Sequence, residues 1–425
     1  MSECLPPTIL VISQVYPPDP TSVGQHMHDA ARGLAARGYA VRVLTSARGY
    51  DNPSVKYQPR ELKDGVDIIR LPLSSLGKRT ILHRLLGQSM FLLQAFFRGL
   101  FTPRLSGILV STSPPMGTAV AIAIRFFRRV PIKYWVMDLN PDQMIELGRL
   151  REDSFPARAF NWLNRRILSA SDDVIALDRF MAERLLKKLD VSDKMTVMPP
   201  WPHSDHLDPV EHHENPFRKA HGLEGKFVLM YSGNHGFSTP VKTVLDAAVA
   251  MQDRPDLAFM FIGGGVGKKE VEKTVADYHP NNLYNLPYQP LDQIRYSLSA
   301  ADVHLVSVGN DVVGVVHPCK VYGAMALGRP ILLLGPDPCH VSDLLQAERI
   351  GWHIRHGDVD GAIATIDAIR ATPPEELQAM GKRAAELIAR RFDQETMIQQ
   401  FCDIVVRGLP AVNRPQATRA PATMH

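Results

Sequence analysis

Lys320 is the residue whose surroundings in the sequence point most directly to chemistry. It lies in HPCKVYGAMALG (317–328), between a proline and a helical pattern of small residues, in a stretch that is otherwise apolar. A lysine in such surroundings needs an anionic partner, because burying an unpaired charge is costly. We take that partner to be a pyrophosphate and Lys320 to be a catalytic candidate. The alternative is a lysine that only extends from the first helical turn into solvent.

Two glycine-rich turns upstream have the composition of phosphate-binding loops. Gly233, Asn234 and Gly236 follow an apolar run and precede a helical pattern, so their N–H groups can approach a phosphate without an intervening Cβ. Gly264, within a run of three glycines, and Lys268 repeat the arrangement one strand later. Each pattern is also that of a tight strand-to-helix turn, and exposed lysines are usually just solvated. Together the two turns predict a site for a diphosphate.

Asp138 is the candidate for proton transfer. It follows the apolar run IKYWVM (132–137), and a carboxylate at the carboxyl end of a central strand faces the ligand crevice of a parallel sheet. There it could accept the proton of an attacking hydroxyl. The alternative is an acid that caps the helix predicted to begin near Pro141.

Side chains that bind metals are present, but not at usable spacing. The four cysteines are scattered without a CxxC pair, and no DxD-like pair lies on a plausible metal loop. His26 and His28 are two residues apart on a helical pattern and point in different directions. We therefore expect no metal ion and no tightly bound cofactor.

The elements that position these residues form two blocks of alternating strand and helix patterns. Apolar runs alternate with longer helical patterns before and after a Pro- and His-rich interruption at 201–222. The predicted strands are 8–13, 40–45, 66–71, 107–112, 132–137, 173–177, 195–199, 226–233, 257–265, 282–287, 302–309 and 329–335. This order predicts an α/β fold of two doubly wound, Rossmann-like domains that face a cleft. We place them at 1–205 and 206–408, with a disordered tail at 409–425.

Composition and charge indicate whether the chain folds, what it binds and where in the cell it is expected. At 425 residues, 45% hydrophobic and 22% charged, the chain is too apolar to be disordered. Between Asp67 and Asp138 it has no acidic residue but ten basic ones, which predicts an anionic partner. The first residues lack a secretory signal, so we expect a cytoplasmic protein. We expect no nucleic-acid partner, and the oligomeric state stays open.

Residues 80–101, TILHRLLGQSMFLLQAFFRGLF, form a long apolar helical pattern within that basic segment. Polar and basic residues interrupt it, so a membrane-spanning helix is not expected. Its apolar face and basic ends are typical of a helix that lies in a membrane interface. We therefore predict peripheral binding to the anionic inner face of the cell membrane. The alternative is a helix packed into the core of the first domain.

Three segments resemble the GT-B retaining glycosyltransferases of family 4. They are ILVISQVYPPDPTSVGQHMHDAARGLAARGYAVRVLTS (9–46), VLMYSGNHGFSTPVKTVLDAA (228–248) and GVVHPCKVYGAMALGRPILLLGP (314–336). The resemblance implies a nucleotide diphosphate sugar, UDP-linked, as donor substrate. It implies donor contacts from Tyr288, Gly314, Val315, Val316 and His317, besides the residues above. It also implies acceptor contacts from the loop after the first strand, at Ser22, Gly24 and Gln25.

The chain departs from this family at one pattern. Family members carry two glutamates eight positions apart, and the matching positions here are Val315 and Gly323. We interpret this as the trait of a subgroup. The function implied is transfer of a hexosyl or N-acetylhexosaminyl group to a lipid-linked or glycan acceptor in polysaccharide or glycolipid biosynthesis. A non-catalytic subunit that binds nucleotide or lipid beside a partner enzyme is the first alternative, and a nucleotide-sugar epimerase is the second.

Overall fold

The computed structural model describes most of the chain. The described residues are 5–19, 21–49, 54–74, 81–203 and 208–412, without the side chains of 81–85 and 291. The predicted domain boundary between residues 205 and 206 lies outside these ranges.

The first domain is built on an eight-stranded sheet with the order β3-β4-β2-β1-β5-β6-β7-β8. All neighbours are parallel except β3 and β4. The strands are β1 Thr8–Ile12, β2 Ala40–Ser46, β3 Arg60–Lys63, β4 Val66–Leu71, β5 Leu105–Ser111, β6 Ile132–Trp135, β7 Asp173–Ala176 and β8 Met195–Val197. The helices are α1 Ser22–Ala36, α2 Ile81–Leu100, α3 Gly117–Arg128, α4 Asp142–Glu146, α5 Phe155–Ala170 and α6 Arg179–Lys188.

The second domain is built on a six-stranded parallel sheet with the order β11-β10-β9-β12-β13-β14. The strands are β9 Phe227–Ser232, β10 Leu257–Ile262, β11 Leu283–Leu286, β12 Val303–Ser307, β13 Ile331–Leu334 and β14 Gly351–Ile354. The helices from here on are α7 Pro216–Ala220, α8 Lys242–Ala250, α9 Lys268–Tyr278, α10 Ile294–Ser299, α11 Lys320–Ala326, α12 His340–Glu348, α13 Val359–Ala371, α14 Pro374–Arg391 and α15 Gln394–Val406.

The predicted α/β fold of two Rossmann-like domains is confirmed. Central strands such as β1 and β10 are buried along their whole length, because helices cover both faces of a parallel sheet and select continuous apolar runs. Two strands were not predicted. The edge strand β3 has the sequence RELK and is mostly exposed, and β14 has only four half-buried or buried residues. Neither carries the apolar run or alternation that predicts a strand.

Helix α2 presents one face to the core and one to solvent. Gly87, Phe91, Ala95 and Gly99, spaced by four, are buried, and a Cβ on Gly99 would lie 2.4 Å from Ile124 Cδ1. This spacing lets α2 pack closely on α3. Helix α2 is therefore neither fully buried in the core nor fully exposed to solvent. Within the described residues, no helix is both long and apolar enough to cross a bilayer.

Helix α15 and the residues up to 412 return to the first domain, which corrects the predicted extent of the second. Helix α15 packs against α1, where a Cβ on Gly33 would lie 2.7 Å from Ile398 Cγ2. Arg37 also pairs with Asp403 at 2.6 Å. The tail prediction is wrong for residues 409–412, since the Tyr39 hydroxyl donates to the carbonyl of residue 410 at 3.0 Å. Residues 413–425 lie outside the described ranges.

Candidate active site

The two domains meet where β6 ends. Asp138 and Val316 pair as an antiparallel bridge between the domains, and the N–H of Leu139 donates to the carbonyl of Val315 at 3.0 Å. The segment after β6 and the loop after β12 therefore run side by side. Since both follow the carboxyl ends of parallel strands, this contact joins the ligand crevices of the two sheets.

Backbone hydrogen bonds hold Asp138 in place. Its N–H donates to Thr112 Oγ1, after β5, at 3.1 Å. Burial raises the pKa of the Asp138 carboxyl from 3.8 to about 6, against an opposing effect of charge on His317. The capping alternative is not realised, because the N-cap of α4 is Pro141 and no side chain caps that helix. A carboxyl that titrates near neutral pH is suited to accept a proton.

Lys320 begins α11 and extends towards the end of β9. Its ammonium donates to the carbonyl of Asn234 at 2.8 Å and to the hydroxyl of Tyr231, and it lies 3.8 Å from the centre of the Tyr231 ring. Burial lowers the pKa of Lys320 from 10.5 to about 7. Among the described residues, no carboxylate forms an ion pair with this ammonium. A cation that is costly to bury and lacks a counter-ion is suited to bind an anionic ligand.

The glycines near Lys320 allow two loops and a side chain to approach one another. A Cβ on Gly233, whose φ is +129°, would lie 2.7 Å from Lys320 Cε. A Cβ on Gly263 would lie 2.0 Å from the carbonyl oxygen of Gly233. The N–H groups of Gly233 and Gly236 are bound to Ile262 O and Thr239 Oγ1, at 2.9 and 3.0 Å. The expectation that these two amides stand free for a phosphate is therefore wrong.

Lys268 does not reach the crevice. Only 7% of it is exposed, and its ammonium donates to the carbonyls of Phe261 and Leu286 at 2.6 and 2.9 Å. It therefore ties the ends of β10 and β11 together, which corrects the predicted donor contact. The charge of Lys268 beside the glycines led to the predicted phosphate contact, but the long apolar stem of this lysine folds back onto the sheet.

Tyr288 stands at the rim of the second domain. It is 59% exposed, and a Cβ on Gly264 would lie 3.0 Å from its Cε2. A Cβ on the preceding Gly263 would lie 2.0 Å from the carbonyl oxygen of Gly233, which packs against Lys320. Binding of the donor by Tyr288, Gly264 and Lys320 stays a prediction.

The loop of residues 314–317 contacts the first domain, and the side chains of Val315 and His317 are not open to a donor. A Cβ on Gly314, whose φ is +70°, would lie 2.5 Å from the carbonyl oxygen of Phe180. Val315 is fully buried, and both ring nitrogens of His317 have partners. The donor contacts expected from the side chains of Val315 and His317 are thus corrected. Of these residues Val316 is partly exposed and keeps its place beside Asp138.

The expected acceptor residues lie at the start of α1. Thr21 caps this helix by accepting from the N–H of Gly24 at 3.2 Å. Gly24 is buried, and a Cβ there would lie 3.2 Å from the backbone of Tyr16. Ser22 is exposed and Gln25 partly exposed. Only these last two thus present side chains outwards from the carboxyl end of β1.

A buried group between the domains was missed by the sequence analysis. Asp178, which caps α6, accepts from His317 Nδ1 at 2.7 Å, and His317 Nε2 lies 2.8 Å from the hydroxyl of Tyr322. That hydroxyl lies 3.0 Å from His340 Nε2. Burial would raise the pKa of Asp178, but hydrogen bonding and charge from His317 outweigh it and lower that pKa. Asp178 lies 139 residues before His317 along the chain, so no local pattern in the sequence links it to the other three residues.

Three of these side chains also have the composition of a metal site. Ligand atoms of Asp178, His317 and His340 lie within 4.8 Å of one another. In the described structure the atoms that face one another are joined by hydrogen bonds instead. The sequence predicts no metal ion, and this group is where that prediction can be tested.

Comparison with known proteins assigns the family. Residues 21–201 match the family "Glycosyl transferase 4-like domain", and residues 214–387 match "Glycosyl transferases group 1". Together these matches cover most of both domains, including Asp138 and Lys320.

Curated relatives and a solved structure agree with this family. The chain is 24% identical to the "Putative colanic acid biosynthesis glycosyl transferase WcaI" of Escherichia coli, covering 92% of this chain and 98% of the relative. It is 24% identical to the "Probable glycosyltransferase WbjE" of Pseudomonas aeruginosa, covering 77% and 82%. The structure of Anabaena HepE in complex with UDP-glucose superposes with a TM-score of 0.71 at 15% identity, covering 94% and 99%.

The predicted membership in the GT-B glycosyltransferases of family 4 thus agrees with the order of the two domains, with the contact between their ligand crevices and with the family matches. At the two positions that the resemblance matches to the glutamates, Val315 is buried and a Cβ on Gly323 would meet nothing within 4 Å. The chain belongs to the group 1 glycosyltransferases of family 4, with the GT-B fold.

Proposed function

We propose that the protein is a retaining glycosyltransferase that uses a UDP-linked hexose or N-acetylhexosamine as donor. The observation that carries this proposal is the ammonium of Lys320, which is partly buried and has no carboxylate partner among the described residues. Departure of the nucleotide diphosphate breaks the bond between the sugar C1 and the phosphate oxygen. Positive charge next to that oxygen stabilises the transition state.

The remaining donor contacts follow from the neighbourhood of Lys320. The exposed ring of Tyr288 offers a stacking surface for the base, and Gly264 leaves room beside it. HepE was solved with UDP and with UDP-glucose, which supports UDP as the nucleotide here. The proposal needs no metal ion, since the lysine supplies the positive charge.

Asp138 serves the acceptor side of the reaction. The acceptor hydroxyl attacks C1 from the face that the diphosphate leaves, as retention in one step requires, and its proton passes to the Asp138 carboxylate as the new bond forms. The pKa of about 6 that burial gives this carboxyl keeps the group ionised often enough at neutral pH to act as a base. The exposed side chains of Ser22 and Gln25 are proposed to orient the acceptor.

The acceptor is proposed to be a lipid-linked intermediate or a growing glycan in polysaccharide or glycolipid biosynthesis. The name of WcaI places that relative in colanic acid biosynthesis, which supports a role in polysaccharide assembly. Lipid-linked acceptors are held at a membrane, so an enzyme acting on them needs a surface that binds there.

An exposed surface of α2 and α3 fits a membrane. Phe101, Phe126 and Phe127 are 75%, 77% and 61% exposed. Arg98 and Arg129 are close in sequence to these rings and form no ion pair among the described residues. Aromatic rings beside unpaired cations suit the interface of an anionic bilayer, where each basic residue adds on the order of 1 kcal/mol.

Not every basic residue of this segment is available to lipid. Arg125 pairs with Asp172, and Arg128 donates to the carbonyl of Thr102 at 3.1 Å. Lys78 and Arg79 lie outside the described residues, as does the side chain of Arg84. The proposed membrane surface therefore consists of Arg98, Arg104 and Arg129 with the exposed rings.

Release of UDP from a panel of UDP-sugars, with and without membrane extract, tests the function. We expect UDP release with one donor, stimulated by the extract and lost in Lys320→Ala. Lys269→Ala, which removes an exposed lysine of the same domain, is the matched control. UDP binding without turnover of any donor would favour the non-catalytic subunit, which the buried Val315 and the vacant side of Gly323 make the second candidate.

A further inference from the structure

With a neutral His317, the group of Asp178, His317, Tyr322 and His340 forms a continuous chain of hydrogen bonds. An ionised Asp178 requires the proton of His317 on Nδ1, at 2.7 Å. His317 Nε2 is then an acceptor, and the Tyr322 hydroxyl donates to it over 2.8 Å. The Tyr322 oxygen can in turn accept from His340 Nε2–H at 3.0 Å. Each side chain thus sets the tautomer or orientation of the next.

This hydrogen-bonded chain connects both candidate catalytic residues. His317 directly follows Val316, which pairs with Asp138. Tyr322 lies two residues after Lys320 on α11. Asp178 belongs to the first domain and the other three members to the second. Separation of the domains would therefore remove Asp178 from His317 and release the loop beside Asp138.

Burial distinguishes this contact from other ties between the domains. Asp178 and His317 are 4% and 6% exposed. Arg179, the next residue along the chain, also crosses the interface, where it binds Asp343 at 2.7 Å, but its side chain is 52% exposed. Exposed ion pairs contribute little, whereas a hydrogen bond to a buried charge is costly to break.

We propose that Asp178 and His317 are positioning residues that hold the loop of residues 314–317 against Asp138, with Tyr322 and His340 keeping His317 in the required tautomer. They touch no reacting atom. Their role is to keep Asp138 of the first domain and Lys320 of the second at the relative position that sugar transfer needs. As a role in transfer it rests on the function proposed above, but the contact itself can be tested without turnover.

Hydrogen exchange at the Leu139 amide reports on this contact directly, because that N–H is bonded to Val315 of the other domain. Asp178→Asn removes the charge but keeps a residue that caps α6 well. We expect Leu139 to exchange at least about tenfold faster in this variant, while amides within β9 keep their rates. Arg179→Ala is the matched control and should leave Leu139 unchanged.

Tyr322→Phe tests the tautomer step, because it removes one hydroxyl and keeps the ring. We expect an intermediate acceleration at Leu139. In turnover, Asp178→Asn should lower kcat about tenfold or more and change the affinity for UDP less than about threefold, since Lys320 is untouched. A merely structural role would lower the melting temperature and UDP binding together.

Three results would overturn the inference. The first is unchanged exchange at Leu139 in a folded Asp178→Asn protein. The second is equal acceleration in Arg179→Ala. The third is one zinc ion per chain in purified protein that is lost in Asp178→Asn, which would make this group a metal site. Failure of every donor to turn over, with Leu139 behaving as expected, would refute the proposed function and leave the contact in place.

Discussion

Val316 of the second domain pairs through its backbone with Asp138 of the first, and Lys320 begins α11 four residues later. One short segment thus joins the residue proposed to accept a proton to the residue proposed to bind the departing diphosphate. The relative position of the two residues therefore depends on this segment, because it carries Lys320 and pairs with the backbone of Asp138.

Removal of the Lys320 ammonium should abolish most of the activity. We expect Lys320→Ala to lower kcat/KM by about two orders of magnitude or more, since the positive charge stabilises the leaving group. Steady-state UDP release measures this. Circular dichroism should show that the fold is retained, and Lys269→Ala should behave as wild type. A folded Lys320→Ala protein with full turnover would contradict the assignment.

The pH profile should be bell-shaped. Asp138 must be ionised to accept a proton, so activity rises with pH through the pKa of about 6 that burial gives it. Lys320 must be charged to bind the diphosphate, so activity falls as pH rises through its pKa of about 7. In kcat/KM, which reports the free enzyme, the maximum should lie between these values. Asp138→Asn should lower kcat more than UDP affinity and remove the rise of activity on the acidic side of the profile. If that rise is retained, it belongs to another group.

Membrane binding should depend on the surface of α2 and α3. Wild-type protein should float with anionic liposomes at low salt and less at high salt, because the attraction is screened. Arg98→Glu combined with Arg104→Glu should weaken flotation. Arg355→Glu, the same change at an exposed position of the second domain, should not. Equal partitioning to neutral and anionic vesicles would refute the electrostatic part of the proposal.

Two glycines should respond oppositely to alanine. Gly99→Ala should destabilise the protein by about 1–3 kcal/mol, because the new methyl overpacks the α2–α3 contact, where it would lie 2.4 Å from Ile124 Cδ1. Gly323→Ala places its methyl in open space within α11 and should stabilise by about 0.5–1 kcal/mol through helix propensity. Urea unfolding of both variants measures the difference. Equal destabilisation would mean that the space at Gly323 is not open.

The sequence by itself determined the architecture and much of the chemistry. Continuous apolar runs bounded by glycine and proline located twelve of the fourteen described strands, because parallel strands buried on both faces leave that pattern. The same logic located Asp138 at a strand end and Lys320 at a helix start. These are local properties, so the sequence carries them directly.

Only the tertiary structure decided which charged groups remain available to bind a ligand. Lys268 and Lys320 each follow a glycine-rich or proline-containing turn, yet Lys268 is bound by two backbone carbonyls while Lys320 has no counter-charge among the described residues. Likewise His317 was expected at the donor and is bound to Asp178, 139 residues away along the chain. Which partner a long or buried side chain finds depends on contacts between distant segments, and no local pattern in the sequence encodes them.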